Sequence, residues 1–547
     1  MIIDYWDKLF PRLKQNEYWQ WVILVFIIIF SASIRIRLLN IPLERDEGEF
    51  AYMGQLILQG IPPYLSAYNM KLPGIYAVYA LIMSVFGETI PGIHLGLIVA
   101  NSAAIILLFI LTRRLFSSNA ALIAAGCYAL LSIIPSFLGT SAHATQFIVP
   151  FVLEGVILLL KAVESEKYLT LFISGILFGL ALTIKQHAVF FIVFAVFYFS
   201  VQLMSGSQRN WSRFLKGNLI LVAGSALPLF LIIAAFLYKI DLFMKFWFWT
   251  FTYASQYVSI VPISEAPFIF KTIFLGVIDS SRLLWAIAGI GLTAPFWNEK
   301  ARSIRLFLYS FFIFSFLSIC PGFYFRNHYF ITLMPAISIF AGIVTVSSMQ
   351  WLTRKKFMKV FQFIPIMIII MAMAIPVVKL RDFFFILTPV EACRYMYGLN
   401  PFPESVEIAE YIRKDSKIGD AIAVVGSEPQ IFFYADRKSA TGYIYTYSMM
   451  EPHPYAAQLQ RNMIREIETA RPKYLIMVNV YSSWLVRENS DRLIFKWAEK
   501  YFKENYVLIG LFHSTSDWTY ERYWNEIPEN IEPLPREIIF IGKRIIR

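Results

Sequence analysis

Long apolar runs alternate with short polar gaps along the first two-thirds of the chain. Runs at 21–39, 92–112, 119–138, 145–161, 168–184, 187–204, 218–238, 268–296, 306–322, 329–349 and 360–379 predict about eleven membrane spans. A helix needs about 20 apolar residues to cross a hydrocarbon core, and runs this continuous exclude the strands of a barrel. After Arg381 the pattern changes: charges and prolines return and apolar runs shorten. Ala421–Val425, Tyr474–Val478, Val507–Phe512 and Ile538–Gly542 predict strands, while Glu404–Lys414, Ala457–Thr469 and Asp491–Asn505 have helical spacing. The expected architecture is a polytopic α-helical membrane domain over residues 1–380, with a first external loop at 40–91, followed by an extracytoplasmic α/β domain over 381–547.

Composition agrees with a membrane protein. Of the 547 residues, 58% are hydrophobic and only 16% charged, against about 25% charged in ordinary soluble domains. The net charge of +12 would suggest nucleic acid in a soluble chain. Here the basic residues sit mostly in alternate gaps between apolar runs, where they signal orientation, so no nucleic-acid partner is expected. The gaps holding Lys8, Arg12 and Lys14, then Arg113 and Arg114, Lys161 and Lys167, Arg209 and Arg213, Lys300 to Arg305, and Arg354 to Lys359 are assigned to the cytoplasm. That places the N-terminus inside and everything after residue 380 outside a cell (inner) membrane. Ser31-Ala32-Ser33 looks like a signal-peptide cleavage site, but Arg35 and Arg37 follow it, and a retained anchor helix is the simpler reading. Cys127, Cys320 and Cys393 have no metal-ligand spacing.

The candidate chemistry lies where charges break these rules. Arg45-Asp46-Glu47-Gly48-Glu49 opens a stretch, Asp46 to Glu88, that reads as an irregular loop against the membrane. Acidic groups at a membrane mouth are costly unless they face water, a cation or a polar substrate. Basic residues also approach from this external side: Arg35, Arg37, Arg45, Lys71, Lys185 with His187, and Arg326 with His328. Converging cations suit a phosphate or pyrophosphate headgroup; individually they would snorkel to lipid headgroups. Beside them an ionised carboxylate such as Asp46 suits a general base, with a divalent cation on Asp46 as the alternative. The aromatic stretch Phe246 to Tyr253 reads foremost as an interfacial belt, with stacking on a sugar or isoprenoid the other reading. The segment Met449 to Pro454 is a candidate cover for the membrane site.

Arg45-Asp46-Glu47-Gly48-Glu49-Phe50-Ala51-Tyr52 resembles the first-loop motif of the GT-C membrane glycosyltransferases, in the group of protein O-mannosyltransferases and aminoarabinose lipid A transferases. Gly60-Ile61-Pro62-Pro63-Tyr64 with Lys71-Leu72-Pro73-Gly74, and Phe325-Arg326-Asn327-His328-Tyr329-Phe330 with Leu333-Met334-Pro335, are similar to two further motifs of that group. The resemblance implies a polyprenyl-phosphate-linked sugar donor, inversion at the anomeric carbon, and a lipid, protein or glycan acceptor on the external face. It implies Asp46 and Glu47 as catalytic acids and Lys71, Lys185, Arg326 and His328 as contacts to donor phosphate. Tyr52, His143, Gln146 and Tyr329 are the expected acceptor or sugar contacts. Many relatives carry a second acid where this chain has His143 or Gln146, which leaves metal binding there open; His143 as a plain helix cap is the competing reading. The competing function class is a transporter or flippase of polyprenyl-linked saccharides. Its usual internal repeats and midplane polar groups are not evident.

Overall fold

The computed structural model describes residues 18–205, 211–355, 359–516, 518–528 and 537–545. Lys8, Arg12, Lys14, Arg209 and Lys356, used above for orientation, lie outside the described residues. Among the described residues, eight helical stretches are long and apolar enough to cross a membrane, and each coincides with one of the predicted runs. The runs near 119–138, 168–184 and 306–322 also form apolar helices, but shorter ones: Ser118–Leu131, Tyr168–Ile184 and Arg305–Leu317. Large apolar side chains, among them Phe26, Leu219, Phe230 and Met367, point outward from the bundle. An apolar exterior of this extent suits lipid rather than water, and the chain is a multi-pass membrane protein.

The helices that matter for the site are α1 (Tyr18–Arg37), α2 (Arg45–Leu58), α3 (Gly74–Phe86), α4 (Ile90–Leu115), α5 (Ala144–Ser165), α6 (Tyr168–Ile184), α7 (Val189–Met204) and α8 (Trp211–Leu237). Small residues let their backbones approach. A Cβ on Gly175 of α6 would lie 2.5 Å from the Leu221 carbonyl of α8, and one on Gly224 would lie 2.4 Å from that of Phe172. Likewise Gly74 at the start of α3 meets Thr183 at the end of α6, which brings the Lys71 turn beside Lys185. Arg35 and Arg37 at the end of α1 satisfy carbonyls: Arg35 donates to Gly139 and Ser132, at 2.7 Å each, and Arg37 to Phe383, Phe384 and Leu387. They tie chain segments together and are not part of the cavity lining.

The first loop, expected from sequence to be irregular, is largely helical. The Arg45-Asp46-Glu47 motif is the first turn of α2. Glu44 caps it by accepting from the Glu47 amide at 3.0 Å, and the Glu47 carboxylate accepts from the Glu44 amide at 3.2 Å. Eleven of the fourteen residues of α2 are buried. A helix covered on nearly all sides shows no amphipathic stripe, which is why its periodicity did not stand out.

The C-terminal part contains a five-stranded sheet: β1 (Ile422–Val425), β2 (Tyr474–Asn479), β3 (Tyr506–Ser514), β4 (Tyr520–Trp524) and β5 (Ile538–Arg544). Their order is β1-β2-β5-β3-β4, with β1 and β2 parallel and the other pairs antiparallel. Four of these strands and the helices Phe402–Asp415, Ala456–Ala470 and Leu493–Asn505 match the predicted elements; β4 was not foreseen. This sheet-containing domain packs directly on the first loop. The Leu43 amide donates to Tyr434 at 2.8 Å, the Ser439 amide to Tyr52 at 2.8 Å, and the Tyr68 amide to the Gly442 carbonyl at 2.7 Å. Arg45 reaches across to Glu428 at 2.7 Å and to the Ser427 carbonyl at 2.6 Å. Two glycines allow the close approach: a Cβ on Gly48 would sit 2.6 Å from Gln430, and one on Gly442 2.1 Å from the Tyr68 ring.

Candidate active site

Between the first loop, the external helix ends and the C-terminal domain lies a cavity of about 670 Å³. Asp46, Lys71, His143, Lys185, Arg326, His328 and Tyr329 all line it. Helix α2 presents Asp46 from its first turn, where the helix dipole favours negative charge. Lys71 donates to Asp46 Oδ1 at 2.9 Å and to Glu49 Oε2 at 2.6 Å, and Tyr76 donates to the other Glu49 oxygen at 2.8 Å. Tyr445, from the C-terminal domain, also donates to Asp46 Oδ1, at 3.2 Å. Among the described residues Asp46 Oδ2 receives no hydrogen bond; His143 Nδ1 lies 4.0 Å from it.

The electrostatics follow from burial and these pairs. Burial disfavours the Asp46 charge, but the Lys71 ammonium and its hydrogen bond, with Lys185 beyond, outweigh it and hold the carboxyl well below its usual range. Burial raises Glu44 well above the usual carboxylate range, and the charges of Asp46 and Glu47 add to it. Glu49 is pushed up to about 7 by burial, against the pull of Lys71. Lys185 is lowered to about 7 by burial, against the pull of Asp46 and with the help of Lys71. Its ammonium lies 4.0 Å over the Tyr329 ring. Arg326 lies over the Tyr324 ring at 5.2 Å.

His143 and His328 stack with ring centres 4.1 Å apart, and both are held neutral, burial being the first cause. His143 precedes α5 but its side chain makes no capping bond, and among the described residues both of its buried ring nitrogens lack a hydrogen-bond partner. Unpartnered buried nitrogens call for an explanation. One carboxylate oxygen of Asp46 and one nitrogen each of His143 and His328 lie within 4.8 Å of one another. Two neutral imidazoles and a carboxylate fit a borderline divalent metal such as zinc better than calcium or magnesium.

Three of the residues expected at the site are not part of the cavity lining. Glu47 accepts from the Ala142 amide at 2.5 Å and faces His94 Nε2 at 3.1 Å, joining the first loop to α4 and to the segment before α5. Tyr52 accepts from Ser439 and packs on Phe432. Gln146 donates to the Gly139 carbonyl at 3.0 Å. Conversely, the cavity gains residues beyond the expected catalytic, phosphate and sugar contacts, some of them from the aromatic stretch and the candidate cover. Trp249 and Tyr253 of the aromatic stretch line it, because a π-helical turn over Phe248–Tyr253 directs them inward. The C-terminal domain contributes Tyr445, Tyr447, Ser448 and Glu451, whereas Met449 and Met450 are buried beneath them. The alternation Tyr443, Tyr445, Tyr447 is the one signal that could have found this wall.

Residues 71–238 match the profile of the dolichyl-phosphate-mannose-protein mannosyltransferase family. None of the curated proteins matches the sequence. Among solved structures, ArnT from Cupriavidus metallidurans bound to undecaprenyl phosphate is similar with a TM-score of 0.57 at 13% identity, covering 95% of this chain and 98% of that one. The Archaeoglobus fulgidus oligosaccharyltransferase tethered to an acceptor peptide gives 0.56 at 14% identity, covering 95% of this chain and 76% of that one. The same enzyme, AglB, in complex with an inhibitory peptide and a dolichol-phosphate gives 0.54 at 14% identity, over 94% and 75%. At such identities the likeness establishes the fold, and the fold is GT-C, as the first-loop resemblance implied.

Proposed function

We propose that this chain, a membrane protein of the GT-C fold, is an inverting glycosyltransferase that moves a sugar from a polyprenyl-phosphate donor to an acceptor at the external face of the membrane. The observation that carries the reading is the state of Asp46. One oxygen is fixed by Lys71 and Tyr445, while the other is free beside the cavity and the group is held ionised. A carboxylate so prepared takes a proton from the acceptor as the acceptor attacks the anomeric carbon. The C–O bond to phosphate breaks on the opposite face, and the electron pair leaves with the phosphate. Lys185 and Arg326 neutralise that phosphate, which therefore needs little protonation to depart. Lys71 is already engaged by two carboxylates, which supports a part in keeping Asp46 charged more than direct grip on the donor.

Asp46, His143 and His328 are the residues that would hold a divalent cation. Once bound, such an ion would supply Lewis-acid stabilisation of negative charge on the donor. The positive-inside pattern supports a cytoplasmic N-terminus in the inner membrane and an external C-terminal domain beginning after residue 380. The fold of known glycosyltransferases and a free carboxylate at the site favour the enzyme over a flippase. The test is to incubate purified protein with radiolabelled polyprenyl-phosphate sugars and candidate acceptors. Label leaving the lipid supports transfer; label that crosses the bilayer while still on its lipid supports the flippase.

A further inference from the structure

Glu451 is a buried carboxylate on the cavity wall that the chemistry above does not use. It comes from the C-terminal domain, yet its Oε2 accepts from Tyr253 of the membrane domain at 2.6 Å. Its other oxygen has no hydrogen-bond partner among the described residues, and no cation there comes within ion-pairing distance. Burial pushes its carboxyl up to about 7, opposed by Tyr253 and the more distant Arg487 and Arg326. The second oxygen is open to the cavity, so the carboxylate keeps acceptor capacity for a ligand there.

The surroundings indicate which ligand. From Arg326 the wall runs as a chain of aromatic faces. Arg326 and Tyr257 both line the cavity, and Tyr324, outside the lining, joins them by lying under the guanidinium and stacking on Tyr257 at 4.8 Å; Tyr257 feels the charges of Arg326, Glu451 and Asp46. Tyr253 then meets Trp249 at 5.3 Å. A guanidinium at one end, ring faces between and a carboxylate at the other end match a molecule with phosphate, a ring and hydroxyls in that order. Aromatic faces suit the C–H side of a sugar, and a carboxylate accepts from its hydroxyls.

We propose that Glu451, held by Tyr253 and flanked by Tyr257 and Trp249, is the subsite that grips ring hydroxyls of the transferred sugar and so selects the donor. This rests on the glycosyltransferase reading and names a specificity determinant within the same cavity.

The test measures affinities of the full-length protein in detergent for undecaprenyl phosphate alone and for undecaprenyl phosphate bearing each of a panel of hexoses and pentoses. The expected wild-type result is a preference for at least one sugar-bearing lipid over the bare lipid. Glu451→Gln, nearly isosteric, should weaken binding of that lipid on the order of 10- to 100-fold, with bare-lipid affinity unchanged. Tyr253→Phe should give a smaller loss in the same direction. Equal loss for both lipids, no loss for either, or a change confined to the KM of the acceptor would overturn the subsite while leaving the proposed function standing. Failure of the wild type to bind either lipid would contradict the function itself.

Discussion

Lys185 and Glu47 show how much a single side chain's surroundings decide. Lys185 is a cavity cation whose pKa falls to about 7 through burial. Below that pH it meets a phosphate already charged; above it, binding must first take up a proton. Affinity for a polyprenyl phosphate is therefore expected to fall as pH rises through about 7, and Lys185→Arg should flatten that dependence, as titration calorimetry at several pH values would show. Glu47 carries a different expectation. Its oxygens are occupied by the Ala142 and Glu44 amides and by His94. Glu47→Ala should cost about 3 kcal/mol of stability, because buried partners of a charged group are left unpaired. Its Tm should drop accordingly; an unchanged Tm with lost catalysis would return Glu47 to the chemistry. The sequence singled out both residues. It could not separate them, because which way each faces is set by partners such as Ala142, 95 residues away.

Helix α2 is the element on which the site turns. Its first turn supplies Asp46 to the cavity and Arg45 to the C-terminal domain, so docking of that domain and aim of the carboxylate are mechanically linked. Arg45 and Glu428 are both buried, and Ser483 donates to the second Glu428 oxygen at 2.7 Å. Breaking one partner of such a pair costs about 3–5 kcal/mol. Glu428→Gln should accordingly lower Tm, and the Arg45→Met, Glu428→Met pair should recover part of the loss, which a double-mutant cycle would quantify. Gly48→Val should act more severely, since any Cβ there collides with Gln430 backbone atoms 2.7 to 2.8 Å away. The spanning helices were legible from sequence because lipid demands long apolar runs. Helix α2 was not, since protein buries it on nearly every side, and neither was its bond to Glu428, because residues 383 positions apart leave no local trace.

For the whole molecule, the arrangement is a lipid-facing bundle closed on one side by a folded domain, with charge concentrated where they meet. The sequence predicted both parts from the shift in apolar run length after Arg381, and it gathered Asp46, Lys71, Lys185 and Arg326 into one site from their rule-breaking positions. The structure brings those four to a common cavity. The far wall was only partly legible: Met449 to Pro454 was marked as a candidate cover, but the parts of Tyr445, Tyr447 and Glu451 were not, because only the docking of two domains gives them a view of the site. The central claim is that Asp46 performs the transfer while the cations around it hold the donor. The most direct measurement compares purified wild type with Asp46→Asn for both binding of a labelled polyprenyl-phosphate sugar and release of its sugar to acceptor. The account predicts near-wild-type binding with transfer reduced by about 10² to 10⁴-fold or more; transfer at the wild-type rate in Asp46→Asn would contradict it.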